Sequence, residues 1–142
     1  MNKKILIASD HAGFDLKNEL IKEMPKNLFE DLGTNSKESV DYTDYANELA
    51  KKISLENDTV GVLICGTGVG MSIAANKFNN VRAGLAFNSE IAKLVKEHNN
   101  ANILVLPGRY LNIHEAKKCV DNFLSSSFQD GRHLRRIKKI IK

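Results

Sequence analysis

An alternation along the chain constrains the fold more than any other feature of this sequence. Stretches dominated by apolar residues, at 3–8, 60–64 and 103–106, are each followed by a polar or glycine-rich turn and then by apolar residues at helical spacing. Weaker strand signals lie at 28–32, closed by Gly33, and at 82–87. Between them come the helical patterns. Phe14, Leu16, Leu20, Ile21 and Met24 form the first, stopped by Pro25. Tyr45, Leu49 and Ile53 form the next, with Asp41 placed as its cap and Asn57-Asp58 at its end. A third pattern starts after Gly70 and runs to about Lys77, a fourth opens at Asn88-Ser89-Glu90 and ends near Glu97, a fifth spans roughly 114–124, and the last spans 132–142. Strands this continuously apolar are buried on both faces. The sequence therefore predicts an α/β fold, a three-layer αβα sandwich around a Rossmann-like parallel sheet of five strands.

A chain of 142 residues is long enough for one domain with its own core, so the sandwich is expected to occupy all of 1–142. No stretch approaches membrane-spanning length, and no signal pattern follows Lys3-Lys4. A cytoplasmic protein with reduced Cys65 and Cys119 is expected, with no membrane partner. The net charge of +4 is concentrated at one end: residues 132–142 hold six bases and no acid. Set those aside, and 15 bases face 17 acids, a balance of −2. The chain is thus near neutral with a basic tail, and no aromatic residue follows Phe128 to stack on bases, which argues against a nucleic-acid partner. A phosphoacceptor signalling domain is disfavoured as well, because Ile7-Ala8-Ser9 brings no cluster of acids to Asp10.

The strand at 60–64 ends at Cys65, and glycines follow at alternate positions, Gly66, Gly68 and Gly70. A strand, a glycine-rich turn and a helix start make an anion site, with backbone N–H groups open to a ligand. Spacing rules out three familiar versions. A nucleoside-triphosphate loop needs Lys after its last glycine, where Met71 stands; the dinucleotide fingerprint needs its third glycine one residue later than Gly70; a cysteine phosphatase loop needs Arg where Met71 stands. Cys65 is then either a reactive thiol at an anion loop or a small buried hydrophobe ending a core strand.

Ligands of parallel sheets bind beyond the carboxyl ends of the strands. That places Asp10, His11, the 65–70 loop and Arg109 together. His98 and Asn99 precede the fifth strand and belong to the opposite end, unless their loop folds back or a neighbouring subunit supplies them. Asp10, His11, Cys65, Thr67 and Arg109 combine acid/base groups with a cation beside backbone donors. This is equipment for moving a proton next to a carbonyl while a phosphate is held elsewhere. An amide-rich turn at a helix start favours the thiolate of Cys65.

The motifs 9–13 (Ser-Asp-His-Ala-Gly), Asp41-Tyr42, the Cys65-Gly-Thr-Gly-Val-Gly-Met-Ser-Ile-Ala-Ala-Asn-Lys77 segment, Arg82-Ala83, His98-Asn99, Gly108-Arg109 and Gly131-Arg132-His133 with Arg136 resemble type B ribose-5-phosphate isomerase nearly end to end. The wider family includes allose- and galactose-6-phosphate isomerases. The resemblance implies an aldose–ketose isomerase with no metal or other cofactor. It implies Cys65 as the base, and Thr67 and His98 in ring opening, with Asp10 holding ring and hydroxyl oxygens. The amides of Gly66, Gly68, Val69 and Gly70, with Asn99, would stabilise the enediolate. Tyr42 would contact the sugar, and His11, Arg109, Arg132 and Arg136 the phosphate. It further implies a homodimer, or a tetramer built from dimers, with shared sites and the C-terminal helix packed on a partner. Asp41-Tyr42-Thr43 and Gln129-Asp130-Gly131 depart from the commoner Asp-Tyr-Pro and Glu-Gly-Gly. Relatives that lack the thiol use a carboxylate downstream, where Ala74 or Ala75 stands here, so the cysteine-dependent branch is favoured.

Each residue also has a plainer reading: Asp10 as a helix cap, His98 as a helix C-terminal residue favoured by the dipole, Tyr42 as packing, and the tail as a solvated basic face. His114 and Cys119 lie in a helical pattern with no chemical partners in the sequence. The alternatives in function are a six-carbon sugar-phosphate isomerase and a non-enzymatic anion-binding domain.

Overall fold

The apolar runs become strands because both of their faces are covered. The computed structural model describes residues 5–140. Its strands are β1 (Ile5–Ser9), β2 (Phe29–Asp31), β3 (Gly61–Cys65), β4 (Ala83–Leu85) and β5 (Ile103–Pro107), paired in parallel in the order β2-β1-β3-β5-β4. The helices are α1 (Phe14–Glu23), α2 (Tyr42–Leu55), α3 (Val69–Ala75), α4 (Ser89–Glu97), α5 (Ile113–Ser125) and α6 (Arg132–Ile137).

Successive side chains of a strand point to opposite faces, and the core divides accordingly. Ile5, Ile7, Val62, Ile64, Leu104 and Leu106 meet α1, α4 and α5 through Leu16, Leu20, Val95, Val120 and Phe123. Leu6, Ala8, Leu63, Cys65, Ile103 and Val105 meet α2 and α3 through Leu49, Ile53 and Met71. Cys119, buried in the first of these layers, has its thiol pushed up to about 12 by burial and then by Glu115, so it stays protonated and inert.

The sheet and layers are those the sequence predicts, with corrections at the element ends. The last helix stops at Ile137 rather than running to the terminus, and tighter turns follow, with Lys139 N–H on Arg136 C=O and Ile140 N–H on Ile137 C=O. β4 is shorter than 82–87 at its start, because Arg82 N–H goes to Asn102 Oδ1 at 2.8 Å and leaves the ladder. Asp41 sits at the N-cap of α2, yet its side chain makes no cap bond; Asn88 and Asn112 do cap α4 and α5. Lys3 and Lys4 of the first predicted strand, and residues 141–142 of the last helix, lie outside the described residues.

Lys17 is fully buried, the one lysine or arginine so placed among the described residues. Its Nζ donates to both carboxylate oxygens of Asp31 at 2.8 Å, and Asp31 Oδ1 also accepts the Gly33 N–H. The pair ties α1 to the end of β2. Removing one partner of such a pair strands the other charge in the core. Asp31→Ala is expected to lower unfolding free energy by about 3 kcal/mol in urea melts, the low end of the range because Asp31 is a third exposed. Lys17→Met keeps the volume and leaves unpaired only the Asp31 carboxylate, which is a third exposed, so it is expected to cost less than Asp31→Ala, which strands the buried ammonium.

Candidate active site

The strand order reverses between β1 and β3, the place where open parallel sheets bind ligands. Three turns interlock there. Asp10 N–H donates to Ile64 C=O, and Gly108 N–H donates to Cys65 C=O at 2.8 Å. Gly13 is required by this contact: a Cβ on it would lie 2.4 Å from the Ile64 carbonyl oxygen. Gly68 is required by conformation, with φ +79° at the start of α3.

Cys65 is 4% exposed and faces the side of the sheet that carries α2 and α3. Burial raises its thiol pKa above the ordinary value; backbone N–H groups of Met71, Gly68 and Thr67 pull it down, and Asp10's negative charge pushes it up. Of the amides named from the sequence, those of Gly66, Gly68, Val69 and Gly70, only Gly68 is among the three at the sulfur. Burial outweighs them, so the resting group is a thiol, not the thiolate favoured from the loop alone. That difference is tertiary: the loop supplies the donors, while the packing of neighbouring elements supplies the burial.

Asp10 is buried, and its Oδ1 accepts the Gly13 N–H at 3.0 Å just before α1. That bond closes the turn before α1 and does not cap the helix, whose N-cap is Gly13 with no side-chain cap bond; it fixes a carboxylate beside the thiol. His11 Nδ1 accepts the Val40 N–H at 3.2 Å. That bond leaves Nε2 as the nitrogen carrying hydrogen, a donor suited to an anion. Thr67 is exposed, and its Oγ1 accepts the Val69 N–H at 3.2 Å. Tyr42 lies on Gly70 so closely that a Cβ there would come within 2.6 Å of its ring. Arg109 Nη1 lies 3.1 Å from the position of a Cβ on Gly66, so the guanidinium covers the loop.

His98, Asn99, Arg132 and Arg136 are elsewhere. Helix α4 runs back against the strand direction, and His98 caps its C-terminus at the amino end of the sheet. Gln129 N–H donates to Glu97 C=O, and the His98 and His133 rings stack with centroids 4.4 Å apart, 12° from parallel. This sets α6 and its arginines beside His98. The candidate residues of one chain therefore fall into two groups, at opposite ends of one sheet. His133 has no role in the sequence reading; its partner is 35 residues away, so no local spacing signals it.

The family model described as Ribose/Galactose Isomerase matches residues 5–140. The chain belongs to this family. It is 40% identical over 140 residues to the ribose-5-phosphate isomerase B of Escherichia coli, covering 97% of this chain and 94% of that one. It is 42% identical over 144 residues to a probable ribose-5-phosphate isomerase B of Mycoplasma pneumoniae, covering 99% and 95%. A ribose 5-phosphate isomerase structure from Thermotoga maritima matches with a TM-score of 0.91 at 50% identity, covering 98% and 97%. The Mycoplasma genitalium ribose-5-phosphate isomerase B structure, with bound ribulose-5-phosphate, matches with a TM-score of 0.90 at 44% identity, covering 97% and 93%.

This ribose/galactose isomerase family member is thus an isomerase, an intramolecular oxidoreductase, with the αβα fold of its relatives. Among the described residues no helix is long and apolar enough to cross a membrane.

Proposed function

We propose that this chain interconverts ribose 5-phosphate and ribulose 5-phosphate, the non-oxidative pentose phosphate step, in the cytoplasm and without a cofactor. The observation that carries this reading is the Cys65 sulfur, held beside Asp10 with the N–H groups of Thr67, Gly68 and Met71 directed at it. Thr67 and His98 serve ring opening, Asp10 holds ring and hydroxyl oxygens, and Tyr42 contacts the sugar. In the open aldose, Cys65 as thiolate takes the proton from C2. The C2–H electron pair forms the C1–C2 double bond, and the C1 carbonyl pair moves onto O1. The enediolate oxygen is met by the amides of Gly66, Gly68, Val69 and Gly70 and by Asn99. Cys65 then returns the proton to C1, and the carbonyl forms at C2 as its hydroxyl proton passes to O1. His11, Arg109, Arg132 and Arg136 hold the phosphate.

A complete centre then needs the carboxyl end of one chain and the amino end of another, which is the reason to propose a homodimer, alone or paired into a tetramer, with α6 reaching the partner's site. Val69 and Ile73 of α3, 48% and 62% exposed beside the thiol loop, are consistent with a covering subunit.

The substrate assignment is tested by kcat/KM on ribose 5-phosphate against allose 6-phosphate and galactose 6-phosphate. A preference of about tenfold or more for the pentose is expected, the discrimination that one extra carbon allows. The reverse preference assigns the chain to the six-carbon members of its family. Activity on none of the three leaves an anion-binding domain.

A further inference from the structure

The stacked pair at the amino end of the sheet joins a residue with a proposed chemical role to one with none. His98 ends α4, where nothing in the helix fixes a side chain's rotation. Its ring lies nearly parallel to that of His133, at a centroid separation of 4.4 Å. His133 is itself anchored: it is the second residue of α6, and the loop before that helix is tied to α4 by the Gln129–Glu97 backbone bond. Both rings are half-buried. Around them, Arg132 and Arg136 extend from α6, and the Glu97 carboxylate is engaged 3.7 Å from Lys93.

We propose that His133 is a positioning residue for His98: its ring is the flat surface that fixes the angle at which His98 presents a ring N–H to the sugar's ring oxygen. The proposal rests on the ring-opening role given to His98 above. Burial, then the charges of His98, Arg132 and Arg136, hold the His133 pKa below its ordinary value. A neutral ring can lie face to face on a histidine that cycles through its charged form, whereas two cations so stacked repel. The neighbouring arginines supply charge for the phosphate; His133 supplies a plane.

The split between kcat and KM, together with rescue by a flat ring, separates this role from a merely structural one. Ribose 5-phosphate arrives largely as a closed furanose, so a misplaced His98 slows turnover after binding. His133→Ala is expected to lower kcat from ribose 5-phosphate by about tenfold or more, with KM within about twofold; kcat/KM from ribulose 5-phosphate falls by the same factor, since the equilibrium constant is fixed. His133→Phe keeps a flat ring without a titrating group and is expected to recover most of the forward kcat.

Wild-type forward kcat in His133→Ala overturns the proposal, as does a folded His133→Phe as slow as the alanine variant. A raised KM with unchanged kcat also overturns it, by making His133 a phosphate contact. Should the alanine variant fail to fold, the phenylalanine variant decides alone. His98→Asn, assayed in parallel, keeps the two readings apart. Full forward activity there removes the ring-opening assignment itself; loss there, with wild-type rates in His133→Ala, removes only the stack.

Discussion

Cys65→Ala is expected to lower kcat on ribose 5-phosphate by about a thousandfold or more while the protein stays folded. The thiol has three backbone N–H groups around it and Asp10 close enough to feel its charge, and the proposed mechanism makes it the base. Alanine keeps those amides and the fold but offers no group to take the proton. The stability loss is small, about 1 kcal/mol, because only one sulfur leaves a core still closed by Leu63, Met71 and Val105. Cys65→Ser is expected to be equally slow, since a hydroxyl is a far weaker acid than a thiol. The wild-type rate carries a further signature. Burial holds the thiol pKa above its ordinary value, so the thiolate fraction, and with it kcat/KM, is expected to rise by about tenfold per pH unit below that pKa. The same shift makes the thiol form a stabilising contribution, present below the unfolded thiol's pKa and lost as pH rises through the folded-state value. Steady-state kinetics between pH 6 and 9, beside thermal melts of each variant, check all of these expectations.

Much of this was legible in the sequence because it is local. The runs at 60–64 and 103–106 are apolar on both faces, and only a central parallel strand buries both. Asn88 caps α4 as its position suggests. The grouping of Asp10, Cys65 and Arg109 follows from one rule about strand ends, and the same rule places His98 at the other end. What the sequence withheld is tertiary. The order β2-β1-β3-β5-β4 depends on which strands pair, and no residue spacing encodes that. The resting state of Cys65 depends on burial by other elements. His133 sits in a basic run read for its arginines, and its stack on His98 exists only once the 126–131 loop closes on α4. Lys17 was available and missed: it falls three residues after Phe14 and three before Leu20, on the apolar stripe of α1, where a lysine must find a buried partner.

The most direct test of the whole account is subunit complementation. Cys65→Ala breaks the half-site at the carboxyl end of the sheet, and His98→Asn breaks the half-site at the amino end; each homomer alone is expected to be nearly inactive. When the two are co-expressed or unfolded and refolded together in equal amounts, half of the dimers pair unlike chains. In each such dimer one site draws Cys65 from one chain and His98 from the other, both intact. Recovery of about a quarter of wild-type activity on ribose 5-phosphate is the expected result for a two-fold shared site. No recovery above the separate variants, or full activity in either variant alone, would contradict the account.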